Sequence, residues 1–333
     1  MTEWNKELER RILKKSRFTL TFRILRLLLL VVLVYGLYMM ALNIISDRMN
    51  IAKEHDFYTK LALDWKVPNL RGSFKYEEEN VTPFGTQKLS YPLFKRVGKS
   101  DIAVGKATIT KRISTSNSYV EYDLPGKDLL AEFSFSYPED PRNGKKLEAY
   151  SEANVWETLE MLHEGTVAEL AFSTDRFMSP ENLVKDLEPY DIDILWMPLH
   201  SGEFEEFDPS WGGSNDSLSV NNPIGLTGGR TASENFLADS LTYSLNQTSV
   251  EESKKVMLQH METLLSEKPS SYYDDFLGLG YLNERHNYIK NKGFIVYGAV
   301  VTGPVKELLK LKDEETVRGE QLGEVELWNW EVE

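Results

Sequence analysis

Side chains able to do chemistry are sparse and scattered in this chain. Its five histidines, His55, His163, His200, His260 and His286, form no His-x-x-x-His or His-x-x-Glu-His pattern, so no local metal site can be read. His163 and Glu164 are neighbours, and adjacent helical residues point apart. Cysteine is absent, which removes disulfides, thiolate zinc sites and thiol nucleophiles together. No G-x-S-x-G elbow, Walker loop or G-x-G-x-x-G occurs. Gly228-Gly229-Arg230-Thr231 precedes an expected helix at Ala232, where backbone N–H groups and a guanidinium could hold an anion. An ordinary capped loop is the plainer reading. The acidic runs Glu77-Glu78-Glu79, Glu203 to Asp208, Asp274-Asp275 and Asp313-Glu314-Glu315 lack the EF-hand order of calcium ligands and read as solvated surface. The expectation is no catalytic residue, no cofactor and no metal, which favours sensing or binding over catalysis.

The element that must position everything else is one apolar run. Leu27–Ile45 contains no charge, and a helix of roughly 20 residues at about 1.5 Å each crosses a ~30 Å hydrocarbon layer. Before it stand eight basic residues (Lys6, Arg10, Arg11, Lys14, Lys15, Arg17, Arg23, Arg26) against Glu3, Glu7 and Glu9. Basic flanks stay in the cytoplasm, so the tail is expected inside and the rest outside. A cleaved signal peptide fits less well, because the apolar core is long and no small-x-small site follows. The whole chain carries a formal charge of −14, concentrated beyond the run, and an acidic exterior argues against nucleic-acid binding.

Trp4, Leu8 and Ile12 recur every four residues in the tail, with basic residues on other faces. This is a basic amphipathic helix that lies on the lipid bilayer or docks on a protein. Residues 47–65 read as a stalk helix stopped by Pro68 and Gly72. VGKATITKRI, YVEYDL and LLAEFSFSY alternate as strands, and SEANVWETLEMLHEG reads as a helix. The Gly/Asn-rich stretch 201–231 reads as a long loop, followed by helices near 232–246, 250–267 and 270–290. An internal echo is more specific. TVAELAFS is a strand, Ser179-Pro180-Glu181 a capped helix start, and IDILWMPL a strand. Later GFIVYGAVV is a strand, Gly303-Pro304 opens the helix PVKELLKL, and EVELWNW is a strand. Each unit ends on a Leu-Trp pair, Leu195-Trp196 and Leu327-Trp328. The fold class expected is α+β: a single N-terminal transmembrane helix plus an exterior domain with two split strand-helix-strand units in a ferredoxin-like sheet. Trp196, Trp211, Arg230 and Trp328 are the candidate lining of an exterior ligand groove, with core packing as the alternative for the two echoed tryptophans.

Three stretches carry a family resemblance: ILKKSRFTLTFRILRLLLLVVLVYGLYMM, GTVAELAFSTDRFMSPENLVKDLEPYDIDILWMPLHSGE and GFIVYGAVVTGPVKELLKLKDEETVRGEQLGEVELWNW. They resemble the sigma factor regulator family, membrane-anchored anti-sigma factors of Gram-positive bacteria. The resemblance implies an outer module that receives an envelope signal and an inner segment that restrains an extracytoplasmic-function sigma factor. Only about 24 residues precede the span and they hold no His/Cys zinc motif, a departure from the family pattern. If they bind the sigma factor, Trp4, Leu8 and Ile12 are the apolar anchors, with Arg11 as a further contact. Otherwise a second membrane subunit supplies the contact. The organisation expected is a cytoplasmic tail 1–24, a span 25–46, a stalk 47–66, a β-rich exterior region 67–150 and an α+β sensor domain 151–333, in the cell membrane with the N-terminus cytoplasmic. The competing reading is a membrane-anchored exterior ligand- or wall-binding module without sigma contact.

Overall fold

A computed structural model describes residues 6–48, 51–78, 81–112, 115–125, 133–163, 165–214, 216–234, 236, 238–327 and 330. Helix α1 (Lys6–Arg48) is unbroken over 43 residues and carries the apolar run. It is the one helix among the described residues long and apolar enough to cross a membrane. Helix α2 (Ile51–Lys66) follows. Next come β1 (Arg71–Gly72), β2 (Glu77–Glu78), β3 (Thr86–Val97), β4 (Ser100–Arg112) and β5 (Thr115–Asp123). They form an antiparallel sheet in the order β1–β3–β4–β5, with β2 also on β3. Buried positions on β3 alternate, as expected of a strand with one face on a core.

The second sheet is built mainly from the echoed segments. After α3 (Val155–Met161) come β6 (Thr166–Met178), α4 (Pro180–Leu187) and β7 (Asp193–His200). Short strands β8 (Trp211–Gly213), β9 (Leu218–Val220), β10 (Gly225–Thr227), β11 (Arg230–Ala232) and β12 (Asp239–Leu241) occupy the stretch that reads as loop and helix. Then follow α5 (Val250–Glu267), a π-helical turn (Ser271–Phe276), α6 (Leu282–Lys292), β13 (Ile295–Pro304), α7 (Val305–Leu308) with a 3-10 continuation to Asp313, and β14 (Val317–Leu327). The spatial order is β10–β7–β13–β6–β14, every neighbour antiparallel. The first nine residues of β6 are all buried, as in a central strand covered on both faces. Ser179 caps α4 by accepting from the Asn182 N–H, with Pro180 in the first turn.

Two expectations are corrected. Among the described residues of 232–246 no helix forms; a β11–β12 hairpin stands there, held by the buried Arg230. Read as an exposed stalk, α2 is instead buried between the two sheets. Phe57, Tyr58, Leu61, Ala62 and Trp65 join the core under the second sheet, with Ala168, Leu170 and Phe172 of β6. Leu63 faces the other way, into Leu89, Tyr91, Leu93, Ala107 and Ile109 of the first. Both packing faces are apolar, so leaving the helix in water would expose two stripes at roughly 1.5–3 kcal/mol per large side chain. A third cluster, with Phe135, Tyr137, Trp196 and Tyr297, covers the opposite face of the second sheet.

Edge strand β10 approaches Trp196 so closely that a Cβ on Gly225 would lie 2.0 Å from the indole. Gly225→Ala is therefore expected to destabilise the domain by about 1–3 kcal/mol or more. Thermal unfolding of the detergent-solubilised protein checks this, and an unchanged midpoint would contradict the contact.

Candidate functional site

The amino-terminal end of α1 stands clear of the rest of the protein. Leu8 and Ile12, one helical turn apart, are each 60% exposed, and Arg11 beside them is exposed as well. The helix thus brings Leu8, Arg11 and Ile12 onto one face; Trp4 lies outside the described residues. Downstream, Thr19 and Thr21 donate to the Lys15 and Arg17 carbonyls four residues back, so their hydroxyls add no polar demand on the surroundings. At the far end the Tyr38 hydroxyl donates to the Pro83 carbonyl at 2.9 Å, tying the helix to the globular part.

Helix α2 is the socket in which that anchor ends. Along its length Glu54 pairs with Lys268, the C-cap of α5 (2.5 Å), and His55 Nδ1 meets the Tyr272 hydroxyl (2.6 Å). Asp64 receives the Arg230 guanidinium at 2.8 Å. Arg230 also donates to Asp239 (3.0 Å) and to the Gly72 carbonyl (3.1 Å). Burial alone would lower the Arg230 pKa, but the charges and hydrogen bonds of Asp64 and Asp239 raise it. Asp56 and Lys60, 2.5 Å apart, behave differently. Burial pushes the Asp56 carboxyl up to about 6 despite Lys60, and burial lowers Lys60 despite Asp56. Both directions say that desolvation outweighs the attraction within this pair.

Elsewhere the three groove candidates among the described residues, Trp196, Trp211 and Arg230, are not gathered. Trp196 is buried against Phe135 and donates to the Trp65 carbonyl of α2 (3.3 Å). Trp211 is 46% exposed on the β8–β9 hairpin, with Arg142 over its ring. Arg230 is fully buried and its anion is Asp64, so it does not front an open anion site. Trp328 lies outside the described residues. No group of His, Asp and Glu able to hold a metal occurs among the described residues.

A second buried ionic cluster lies at the end of β7. Glu203, wholly buried, accepts from Arg285 Nη1 (2.6 Å), the Ser201 N–H (2.6 Å) and the Tyr137 hydroxyl (3.3 Å). His200 lies between Glu203 (3.4 Å) and Glu205 (3.0 Å). Burial would raise the Glu203 carboxyl, but His200 and Arg285 hold it down at about 2. Burial would lower His200, but hydrogen bonds and charge from Glu203 and Glu205 leave it raised. The Ser201 hydroxyl donates to Glu203 (2.8 Å) and accepts from Arg285 (2.7 Å), so the cluster ties the loop after β7 to α6.

Two family models match the chain: "Sigma factor regulator N-terminal" over residues 10–102 and "Sigma factor regulator C-terminal" over residues 159–324. The chain belongs to the sigma factor regulator family. A relative from Bacillus subtilis (strain 168), described as "Probable anti-sigma-M factor YhdL", is 26% identical over 268 residues, taking in 79% of this chain and 66% of the relative's length. No solved structure matches. The N-terminal family match takes in most of α1, all of α2 and β1–β3, and reaches the start of β4. Sequence reading missed Asp64, Lys60 and Lys268 as the groups that hold α2. Its one available signal was the apolar spacing Phe57, Tyr58, Leu61, Ala62, Trp65, a buried helical stripe.

Arg230→Met is expected to cost about 3–5 kcal/mol by stranding Asp64, and Asp64→Asn in the same chain should restore much of it. Chemical denaturation of both variants measures the difference. For the Glu203–His200 cluster the sign differs on the two sides. The depressed carboxyl adds stability that is present above its unfolded pKa, roughly 4.3, and lost as pH falls toward 2. The raised His200 adds stability that is complete below about 6.5 and fades as pH rises through its folded value. A thermal-midpoint profile should lose its decline on the alkaline side in His200→Gln; persistence of the same decline would assign it to another group.

Proposed function

We propose that this regulator is a single-pass membrane anti-sigma factor of an extracytoplasmic-function sigma factor. Its basic lead is cytoplasmic and its globular part lies outside, where it receives an envelope signal. One observation carries the reading: α1 presents an exposed Leu8–Arg11–Ile12 face at one end and runs at the other toward α2, which is buried in the globular part. The relative's description as an anti-sigma factor and the eight basic residues before the span support it. The role is regulatory, with no catalytic step. The sigma factor docks as a groove around the apolar face, and a second membrane subunit is the alternative contact. We read the strand order β14–β6–β13–β7, with β6 and β7 both antiparallel to β13, as support for a ferredoxin-like arrangement of the two strand-helix-strand units. The five-part division drawn from the sequence is kept, with α2 reassigned to the exterior core.

The absence of cysteine makes the topology directly testable. Ser16→Cys and Ser214→Cys each give a single thiol on an exposed residue. On intact cells a membrane-impermeant maleimide should label Ser214→Cys alone; the reverse pattern overturns the orientation. For the partner, the double variant Leu8→Asp, Ile12→Asp is expected to reduce capture of the cognate sigma factor about tenfold or more and to release its regulon. Capture unchanged by the double variant moves the contact to the second subunit or to another face.

A further inference from the structure

Among the described residues the fully buried cations are neutralised or saturated. Lys60 has Asp56, Lys95 has Glu169 at 2.6 Å, Arg285 has Glu203, and Arg230 has Asp64. Arg71 lacks a carboxylate but donates to three carbonyls and the Thr227 hydroxyl. Lys66, the last residue of α2, is mostly buried, and its ammonium donates to the Leu277 carbonyl (2.9 Å), with no carboxylate within ion-pair distance among the described residues. An ammonium has three donors, so two remain for another acceptor. Burial lowers the Lys66 pKa with no counter-charge to offset it, so an anion beside it would be favoured.

That ammonium lines a cavity of about 220 Å³ between α2, edge strand β5 and the π-helical turn. Ser118, Tyr119 and Tyr122 bring hydroxyl-bearing side chains to its wall, Thr59, whose hydroxyl already donates to the His55 carbonyl (2.8 Å), lines it as well, and Ala62, Val120 and Phe276 bring apolar surface. At ~30 Å³ per water, the space is that of roughly seven waters, suited to a small organic molecule. Gly278, at φ +66, completes the rim; a Cβ there would sit 2.7 Å from Lys66 Nζ, so glycine allows the ammonium its position. Asp275 also lies on the rim but is exposed. We propose that this cavity binds a small organic monoanion, its carboxylate on Lys66 and the hydroxyls and its apolar body against Ala62, Val120 and Phe276. Because Thr59, Ala62 and Lys66 belong to α2, occupancy changes how α2 packs on β5. This deepens the sensor reading and, for its effect on α1, rests on it.

The test uses the detergent-solubilised full chain with sodium benzoate as probe, against benzamide as its neutral isostere and inorganic phosphate as an anion without an apolar body. At about ten times its Kd, benzoate should raise the thermal midpoint by roughly 3 °C, while benzamide and phosphate leave it in place. The shift should vanish in Lys66→Met and in Ser118→Phe, which fills the cavity from the edge strand and leaves the lysine intact. An equal shift with benzamide or phosphate, or a full benzoate shift in both variants, overturns the site. Sigma capture with and without benzoate separates the two readings: binding that leaves capture unchanged keeps the site and overturns only its coupling to α1.

Discussion

Desolvation of charge on α2 is the constraint around which this structure is arranged. The helix carries Glu54, Asp56, Lys60, Asp64 and Lys66 into a position between two sheets. Each charge taken from water costs several kcal/mol unless met by a partner of good geometry. Lys268 and Arg230 come from distant parts of the chain to meet the acidic residues Glu54 and Asp64, and they fix the helix in rotation and in height. The apolar stripes on both sides supply the drive to bury it, while the ion pairs decide which of several similar burials is adopted.

The same logic joins the two sheets. Glu169, in the middle of β6, is fully buried and accepts from Lys95 of β3 (2.6 Å) and from Asn69 (2.7 Å). Thr302 of β13 accepts from the Gly98 N–H at 2.7 Å, and Lys99 reaches Asp193 at 2.6 Å. Separating the sheets would strand an ionised carboxylate and an ammonium at once. Strands β1–β5 therefore do not form an independent lobe: their polar contacts are made on the second sheet, and the helix between them belongs to both.

What could be read from the sequence was what is decided locally. The apolar run, the Ser179-Pro180 helix start, the alternating VGKATITKRI of β4 and the strands β6, β7 and β13 are set by neighbours within a few residues and stand close to where the residues put them, whereas β14 begins at Val317, ahead of the expected Glu324. The burial of α2 was missed because its charged residues resemble a solvated helix leaving a membrane; their partners lie up to 214 residues away in the chain, as Glu54 and Lys268 do. Arg230 follows two glycines, which announce a turn but say nothing of Asp64, 166 residues earlier. The hairpin at 230–241 stands where a helix was expected because that long-range pair outweighs a weak local preference. Of the proposed contact face, Leu8 and Ile12 were legible from spacing alone; the cavity at Lys66 was not, since α2, β5 and the turn after α5 meet only in three dimensions.

Burial of residues 55–72 also governs what cleavage can accomplish. The first accessible peptide bonds after α2 lie around Phe74, Lys75 and Glu77. A nick there severs the polypeptide, yet α2 stays clamped by its apolar stripes and by Arg230 and Lys268. The two fragments would remain one particle. Releasing the globular part from α1 by proteolysis therefore demands either a cut ahead of α2 or prior unfolding of the whole body.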